Sequence, residues 1–475
     1  MKAVLNFLTN NEIERIHEAS LHILEKTGVK IESEKVRKLL ANNGAEVKDT
    51  IVRIPRSLVE EAIKKAPKKI TLAAREPKYD LTLPSESFPF IATSGFSPFV
   101  EDFETGKKRR STASDLKDFA IIADYLDTAD FFWPIVIPGD IPPALQELYS
   151  LAISLENNRK HIQCSCVSEK TAKWMIELAS TIVGSKEELK KRPIFSSVNC
   201  PVAPLTFEKG SSDAMIVFAE AGIPTAPMSM VLAGSSGPAT LAGTLAVTNA
   251  EQLASLVIVE CASPGAPVIY TAEISSADMK SGEINYTAPE FLLLCAGCAQ
   301  MARFYKLPNL TADVPLEEIP SDLLSFERNV LKTAMFLMTG TDISAWLGSL
   351  EKAMSASLVQ VILDAEACEH AKGYLRKFEV NEDTLALEVI DKVGPRGHFL
   401  SEKHTREHFR KEIWVRELSD TFILDPAKEG SFLERAKAKV KQILSTHKVP
   451  SIDEDKHREM KQILKAAEKD IMEGR

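Results

Sequence analysis

The sequence has no surplus of positive charge. Its 475 residues carry 58 Lys and Arg against 67 Asp and Glu, a net charge of −9. Nucleic-acid binders present a basic face, so this balance argues against that class. The seven cysteines are odd in number and scattered. In so long a chain they do not read as a disulfide framework, and a reducing cytoplasm is the expected compartment. The N-terminal stretch MKAVLNFLTNNEIERIHEAS has one early lysine and a short apolar run, with no small-residue cleavage site. No uninterrupted apolar run spans a bilayer, so no membrane partner is expected. There is no G-x-x-x-x-G-K-[ST] loop, and IATSGFSPF is not a Gly-rich dinucleotide turn. A Ser–His–Asp order at familiar spacing is also missing.

What is present is a rhythm. Eight short apolar runs recur: FPFIATSGF, FFWPIVIPG, HIQCSCVS, IFSSVNC, PTAPMSMVLAG, PVIYTAEIS, LPNLTADVP and DISAWLGS. Longer amphipathic segments separate them. Apolar runs flanked by turn residues read as strands buried on both faces. Eight strand–helix units predict an α/β fold, a (β/α)8 TIM barrel over residues 86–376. Residues 1–85 read as a helix-rich cap. There Thr9 and Glu12 form a capping-box pattern before Ile13, Ile16, Ile23 and Leu24, and Gly28 ends the helix. Residues 377–475 read as a charged helical extension, its last helix docked loosely or against a second subunit.

Barrel enzymes carry their chemistry at the C-terminal ends of the strands. Phe96, Trp133, Asn199, Tyr270, Glu273, Asp313 and Trp346 fall there. This set is rich in aromatics and poor in carboxylates. It suits a pocket for a cation or an apolar group better than a hydrolytic centre. A separate candidate is the stretch GPRGHFLSEKHTREHF, residues 394–409, which spells H-x-x-E-H at His404, Glu407 and His408. A helix capped by Ser401 would place both histidines on one face, as a zinc pair requires. A third ligand is needed, and nothing adjacent in sequence supplies one, so no metal is expected. His398, in the Gly-rich turn, is a candidate binding residue. Cys295 and Cys298 spell C-x-x-C inside an apolar helix and read as buried small hydrophobes.

Several long stretches resemble the trimethylamine methyltransferase family. They are VLAGSSGPATLAGTLAVTNAEQLASLVIV, PGAPVIYTAEISSADMKSGEINYTAPEFLLLCAGCAQMARFYKLP and GPRGHFLSEKHTREHFRKEIW, with LEKTGVKIESEKVRKLLANNGAEV and ETGKKRRSTASDLKDFAIIADYLD before them. The resemblance runs in order over nearly the whole chain. It departs from the commoner Gly-Pro-Gly-Gly-His-Phe at Arg396.

The resemblance implies a (β/α)8 barrel that passes a methyl group to the cobalt of a corrinoid (a cobalamin) held by a separate small protein, without zinc. Some members carry pyrrolysine. This chain holds only ordinary residues, so it resembles a non-pyrrolysine member. A quaternary ammonium can leave as a neutral tertiary amine, whereas trimethylamine needs activation first. The expected donors are therefore quaternary amines such as glycine betaine, proline betaine, carnitine or choline. An aromatic cage would hold the cation. Its candidates are Phe96, Trp133, Tyr270, Tyr286 and Trp346, with Glu273 and Asp313 as catalytic carboxylates. His398 and Asn199 could serve a substrate carboxylate. A homo-oligomer is also expected. The alternatives are a corrinoid-independent demethylase or lyase, and a non-catalytic binder of quaternary amines.

Overall fold

A computed structural model describes residues 4–312, 318–320, 323–413 and 431–473. The chain opens on helix Asn10–His22, with the Thr9–Glu12 capping box in place. A π-turn at Ile23–Thr27 follows. Gly28 then adopts φ 78°, and a Cβ there would lie 2.7 Å from the Val52 carbonyl oxygen. Only glycine meets both demands. Three short strands, Val29–Ile31, Glu46–Lys48 and Ile51–Arg53, make an antiparallel ladder. Strands Ile70–Leu72 and Leu81–Leu83 form a second antiparallel pair.

From residue 90 onward the central strands pair in parallel, with short antiparallel pairs at Phe99–Glu101 with Lys108–Arg110, Ser275–Ala277 with Ile284–Asn285 and Ser349–Leu350 with Ser355–Ala356. Phe90–Thr93 meets Phe131 through a bridge at Ala92, and Phe132 bridges to Ile162. Ile162–Ser165 pairs with Phe195–Val198, which pairs with Thr225–Ala226. Thr225 bridges to Val268, and Met228–Ser229 pairs with Tyr270–Ala272. Tyr270–Ala272 pairs with Asn309–Ala312, which pairs with Ile343–Leu347. Ile343–Leu347 pairs in turn with Phe90–Thr93. Each of the eight apolar runs thus contributes a strand or a bridge to this mixed α/β fold.

Long helices follow the strands in register with the sequence rhythm: Ala113–Tyr125, Gln146–Asn157, Glu169–Val183, Lys209–Ala221, Leu241–Ala262, Pro289–Tyr305, Leu323–Leu337 and Leu358–Leu375. One side of the strands faces a cluster built from Ala92, Phe131, Val198, Met228, Leu310 and Ile343. The hairpin residues Ile70, Leu72, Leu81 and Leu83 belong to the same cluster. The other side packs on the helices, in two larger clusters.

Helix Leu241–Ala262 is long and apolar enough to cross a membrane by composition, yet most of it is buried inside the protein. It packs against the N-terminal helices, which is why its polar residues are also covered. Ser20 Oγ donates to the Ala246 carbonyl at 3.0 Å, and Asn249 Nδ2 donates to Ser20 Oγ at 2.9 Å.

The C-terminal helices correct one expectation. Phe432–Thr446 and Glu454–Glu473 dock on their own chain, burying Ala436, Val440, Ile443, Met460, Ala467 and Ile471. Their apolar stripes are narrow but continuous, and Trp174 Nε1 donates to Asp470 at 2.9 Å to fix the last helix. The middle of the extension differs: no residue from 372 to 413 is buried. Within it Arg396 sits at φ 68°, in the left-handed region. This is the position where the commoner motif has glycine. The conformation costs an arginine about 1 kcal/mol more than a glycine. The R396G variant is therefore expected to slow amide exchange across residues 393–400 by about threefold. Exchange unchanged or faster in that stretch would show that the turn is not strained.

Candidate active site

Side chains alternate across a strand, so parity decides which ones reach the shared interior. Ala92, Phe131, Val198, Ile269, Ile343 and Ala345 lie in the interior cluster. By the same parity Trp133 and Glu273 turn inward at the strand ends, and Phe96, beyond its strand, packs against the same cluster. Asn199, Tyr270 and Trp346 turn the other way.

The first pair is held by strain and by a clamp. Phe96 has φ 81°, a rare conformation for an aromatic residue. Its ring meets Trp133 edge-on, with centroids 5.7 Å apart. Gly95 makes room for this, since a Cβ there would lie 2.3 Å from Trp133 Nε1. The Thr93 hydroxyl donates to the Trp133 carbonyl at 2.6 Å and accepts from the Trp133 N–H at 3.0 Å. The Trp133 indole N–H is buried and has no hydrogen-bond partner among the described residues.

Glu273 follows strand Tyr270–Ala272, and its N–H donates to the Ser229 carbonyl at 2.9 Å. Its carboxylate accepts from the Tyr286 hydroxyl. Burial pushes the Glu273 carboxyl up, against the lowering effect of that bond. Burial, and then the Glu273 charge, also raise the Tyr286 hydroxyl well above its usual value. Cys200 is exposed at the surface, yet crowding by the surrounding protein and then the Glu273 charge push its thiol up to about 12. A thiol so raised is not a nucleophile at neutral pH.

A cavity of about 600 Å³ opens beside Phe96, lined also by Pro134, Val136, Glu147, Cys164 and Ser165. Its size is ordinary for a small-molecule site. Glu147 stands in the first turn of helix Gln146–Asn157. Its carboxylate accepts from the Val167 N–H at 3.2 Å and from Ser165 Oγ at 3.5 Å. Burial outweighs these bonds and lifts its carboxyl to about 7. Sequence reasoning missed Glu147 because ALQELYSLAISLENN reads as an ordinary amphipathic helix. Its one signal was a carboxylate in a first turn directly after a strand-end loop.

The other candidates lie elsewhere. The Tyr270 hydroxyl donates to Asn249 Oδ1 at 3.1 Å, and Asn249 Nδ2 donates to the Tyr305 hydroxyl at 2.9 Å. His17 Nδ1 lies 2.9 Å from that same hydroxyl, so the network ties the N-terminal helix to the rest. Trp346 is buried in the cluster shared with Leu358, Val361 and Ile362 of the outer helix. Asn199 is fully buried, with Nδ2 donating to the Cys166 carbonyl at 2.9 Å and Oδ1 accepting from Ser197 Oγ at 3.0 Å. Tyr286 packs edge-on to Phe291 at 5.4 Å rather than joining Phe96 and Trp133. The five aromatics therefore do not converge into one cage. His398 is exposed on its turn, and Asp313 lies outside the described residues.

Comparison with known proteins shows the family. The model of the trimethylamine methyltransferase family matches residues 2–471. The chain belongs to that family. It is 32% identical to a glycine betaine methyltransferase of Desulfitobacterium hafniense, over 94% of each chain. It is 31% identical to a trimethylamine methyltransferase of the same species, over 92% of this chain and 89% of that one. In fold it is similar to the monomethylamine methyltransferase of Methanosarcina barkeri, with a TM-score of 0.57 at 10% identity. That match covers 99% of this chain and 88% of the other.

The Glu147 shift has a thermodynamic consequence. Between about pH 4.5 and 7 the folded chain holds a proton that the unfolded chain has released. Stability therefore falls as pH rises through that window. The E147Q variant is expected to flatten that slope, gaining melting temperature over the wild type at pH 8 but not at pH 4.5. Parallel pH profiles for the two proteins would refute the burial of this carboxyl.

Proposed function

We propose that this chain moves a methyl group from a quaternary amine to the Co(I) corrinoid of a separate small protein. The observation that carries the reading is Phe96, packed edge-on against Trp133, lining a cavity that also holds Glu147. A quaternary ammonium has no N–H to donate. It is bound by aromatic faces and by opposite charge, and each cation–π contact contributes about 0.5–2 kcal/mol. Glu147 is the counter-charge: a bound cation favours its ionised form. Glu273, bonded to Tyr286, holds a second carboxyl at the end of its own strand, outside the lining of that cavity.

The cobalt is the methyl acceptor and arrives as a substrate on its own protein. The chain's work is to orient one N–CH3 bond and to keep water away from it. A neutral tertiary amine then leaves without acid catalysis, and orientation alone can contribute roughly 7–11 kcal/mol. The glycine betaine methyltransferase among its relatives supports this donor class. So does the absence of any non-standard residue from the sequence.

The architecture that best accounts for the pairings is a (β/α)8 barrel, since the last strand pairs with the first. A cap at residues 1–85 and an extension from 377 complete the reading. A homo-oligomer is supported by exposed Tyr374, Phe378, Val380, Leu385 and Leu387 along one stretch.

The test is optical. The chain is mixed with a competent corrinoid protein reduced to Co(I), and quaternary amines and trimethylamine are added singly. Methyl-Co(III) is expected with glycine betaine or a close analogue, and not with trimethylamine. Turnover without corrinoid would favour a demethylase or lyase. Binding without cobalt methylation would favour a binder. F96A and W133A should each weaken substrate affinity by about 2–30-fold. The donor's affinity should also rise between pH 6 and 8, as Glu147 ionises. An E147Q enzyme that keeps the same pH dependence would remove Glu147 from the site.

A further inference from the structure

The H-x-x-E-H stretch stands apart from the strand-end site, in the middle of the extension, where no residue from 372 to 413 is buried. Helix Lys403–Glu412 carries it, one residue later than the Ser401 cap predicts, with Glu402 at the cap. The i, i+4 spacing puts His404 and His408 on one face. Their rings stack with centroids 4.1 Å apart and planes at 24°.

The third ligand that the local sequence lacks comes from Asp383, in the short helix Glu382–Leu385. His404 Nε2 lies 3.0 Å from the Asp383 backbone oxygen. His408 Nε2 lies 3.4 Å from Asp383 Oδ2. One ligand atom from each of the three residues lies within 4.8 Å of the others. Bonds of about 2.1 Å to a tetrahedral zinc place neighbouring ligands roughly 3.4 Å apart. The His408–Asp383 pair already has that separation, and His404 would exchange its contact with the Asp383 backbone oxygen for the ion. Two imidazoles and a carboxylate suit zinc or a similar divalent transition ion, with water in the fourth position. The basic neighbour Lys403 is engaged by Glu407 at 3.3 Å.

A second observation is independent of these distances. The helices Glu382–Leu385, Leu387–Val393 and Lys403–Glu412 have no buried residue between them. A unit without a core of its own gains order from a metal that closes it. We propose that Asp383, His404 and His408 bind one zinc-class divalent ion that staples helix Lys403–Glu412 to helix Glu382–Leu385.

The full chain, stripped of metal by chelation, is titrated with zinc chloride by calorimetry, and bound zinc is counted after desalting. One zinc per chain is expected. H404A and H408A should each lower affinity at least tenfold, and D383N should lower it less. Zinc should also slow amide exchange across residues 382–412 in the wild type and not in the histidine variants. The three side chains lie outside the core, so these variants keep the fold. Absence of stoichiometric zinc would overturn the proposal. So would full binding in the H404A/H408A double variant, or zinc binding that leaves exchange in that segment unchanged. None of these readings involves methyl transfer, so they stand or fall separately from the proposed reaction.

Discussion

Everything in this fold depends on hiding both faces of the parallel strands at once. The helices cover the outer face, and Phe131, Val198, Met228, Leu310 and Ile343 fill the inner one. The hairpin at Ile70–Leu72 and Leu81–Leu83 adds its own apolar residues to that inner cluster. The interior is therefore solid along most of its length, like an organic crystal rather than a pore. The cavity beside Phe96 opens where the strands end and the side chains stop interlocking. The site is a by-product of that packing, and its position was set before any of its residues were chosen.

The same constraint explains which parts of the molecule the sequence discloses. A strand buried on both faces must be apolar throughout, so all eight runs stand out against their charged neighbours. Continuous apolarity also erases the alternation that would tell inside from outside. Tyr270 and Trp346 were therefore legible as strand-end aromatics but not as outward-facing ones. The parity of their neighbours decides it: Ile269 and Ala345 occupy the interior, so the next residue cannot. Phe96 follows the turn marked by SGF and Trp133 directly precedes Pro134, which is why both read as strand-end aromatics. Glu147 escaped notice because helical amphipathicity looks the same whether its polar side meets water or a cavity.

The extension shows the opposite limit. Its charge and its helices are evident from composition, yet its tertiary relations are not. Asp383 and His404 lie 21 residues apart with a Gly-rich turn between them. No local pattern joins them, and only the folded chain brings a carboxylate to the histidine pair. The final helices were underestimated for a related reason. A narrow apolar stripe suffices when the surface it meets is already shaped, as Met460, Ala467 and Ile471 show.

The polar network around Asn249 bears on how the chain is made. His17 and Tyr305 meet across 288 residues, and Ser20 reaches Ala246 across 226. The apolar face of the first helix therefore emerges from the ribosome long before its cover exists. At roughly 5–20 residues per second, the wait for helix Leu241–Ala262 is on the order of 10–50 s. During that time Ile13, Ile16 and Leu21 lack the long-range contacts that later bury them. Helix Asn10–His22 is thus complete well before the helix that covers its apolar face.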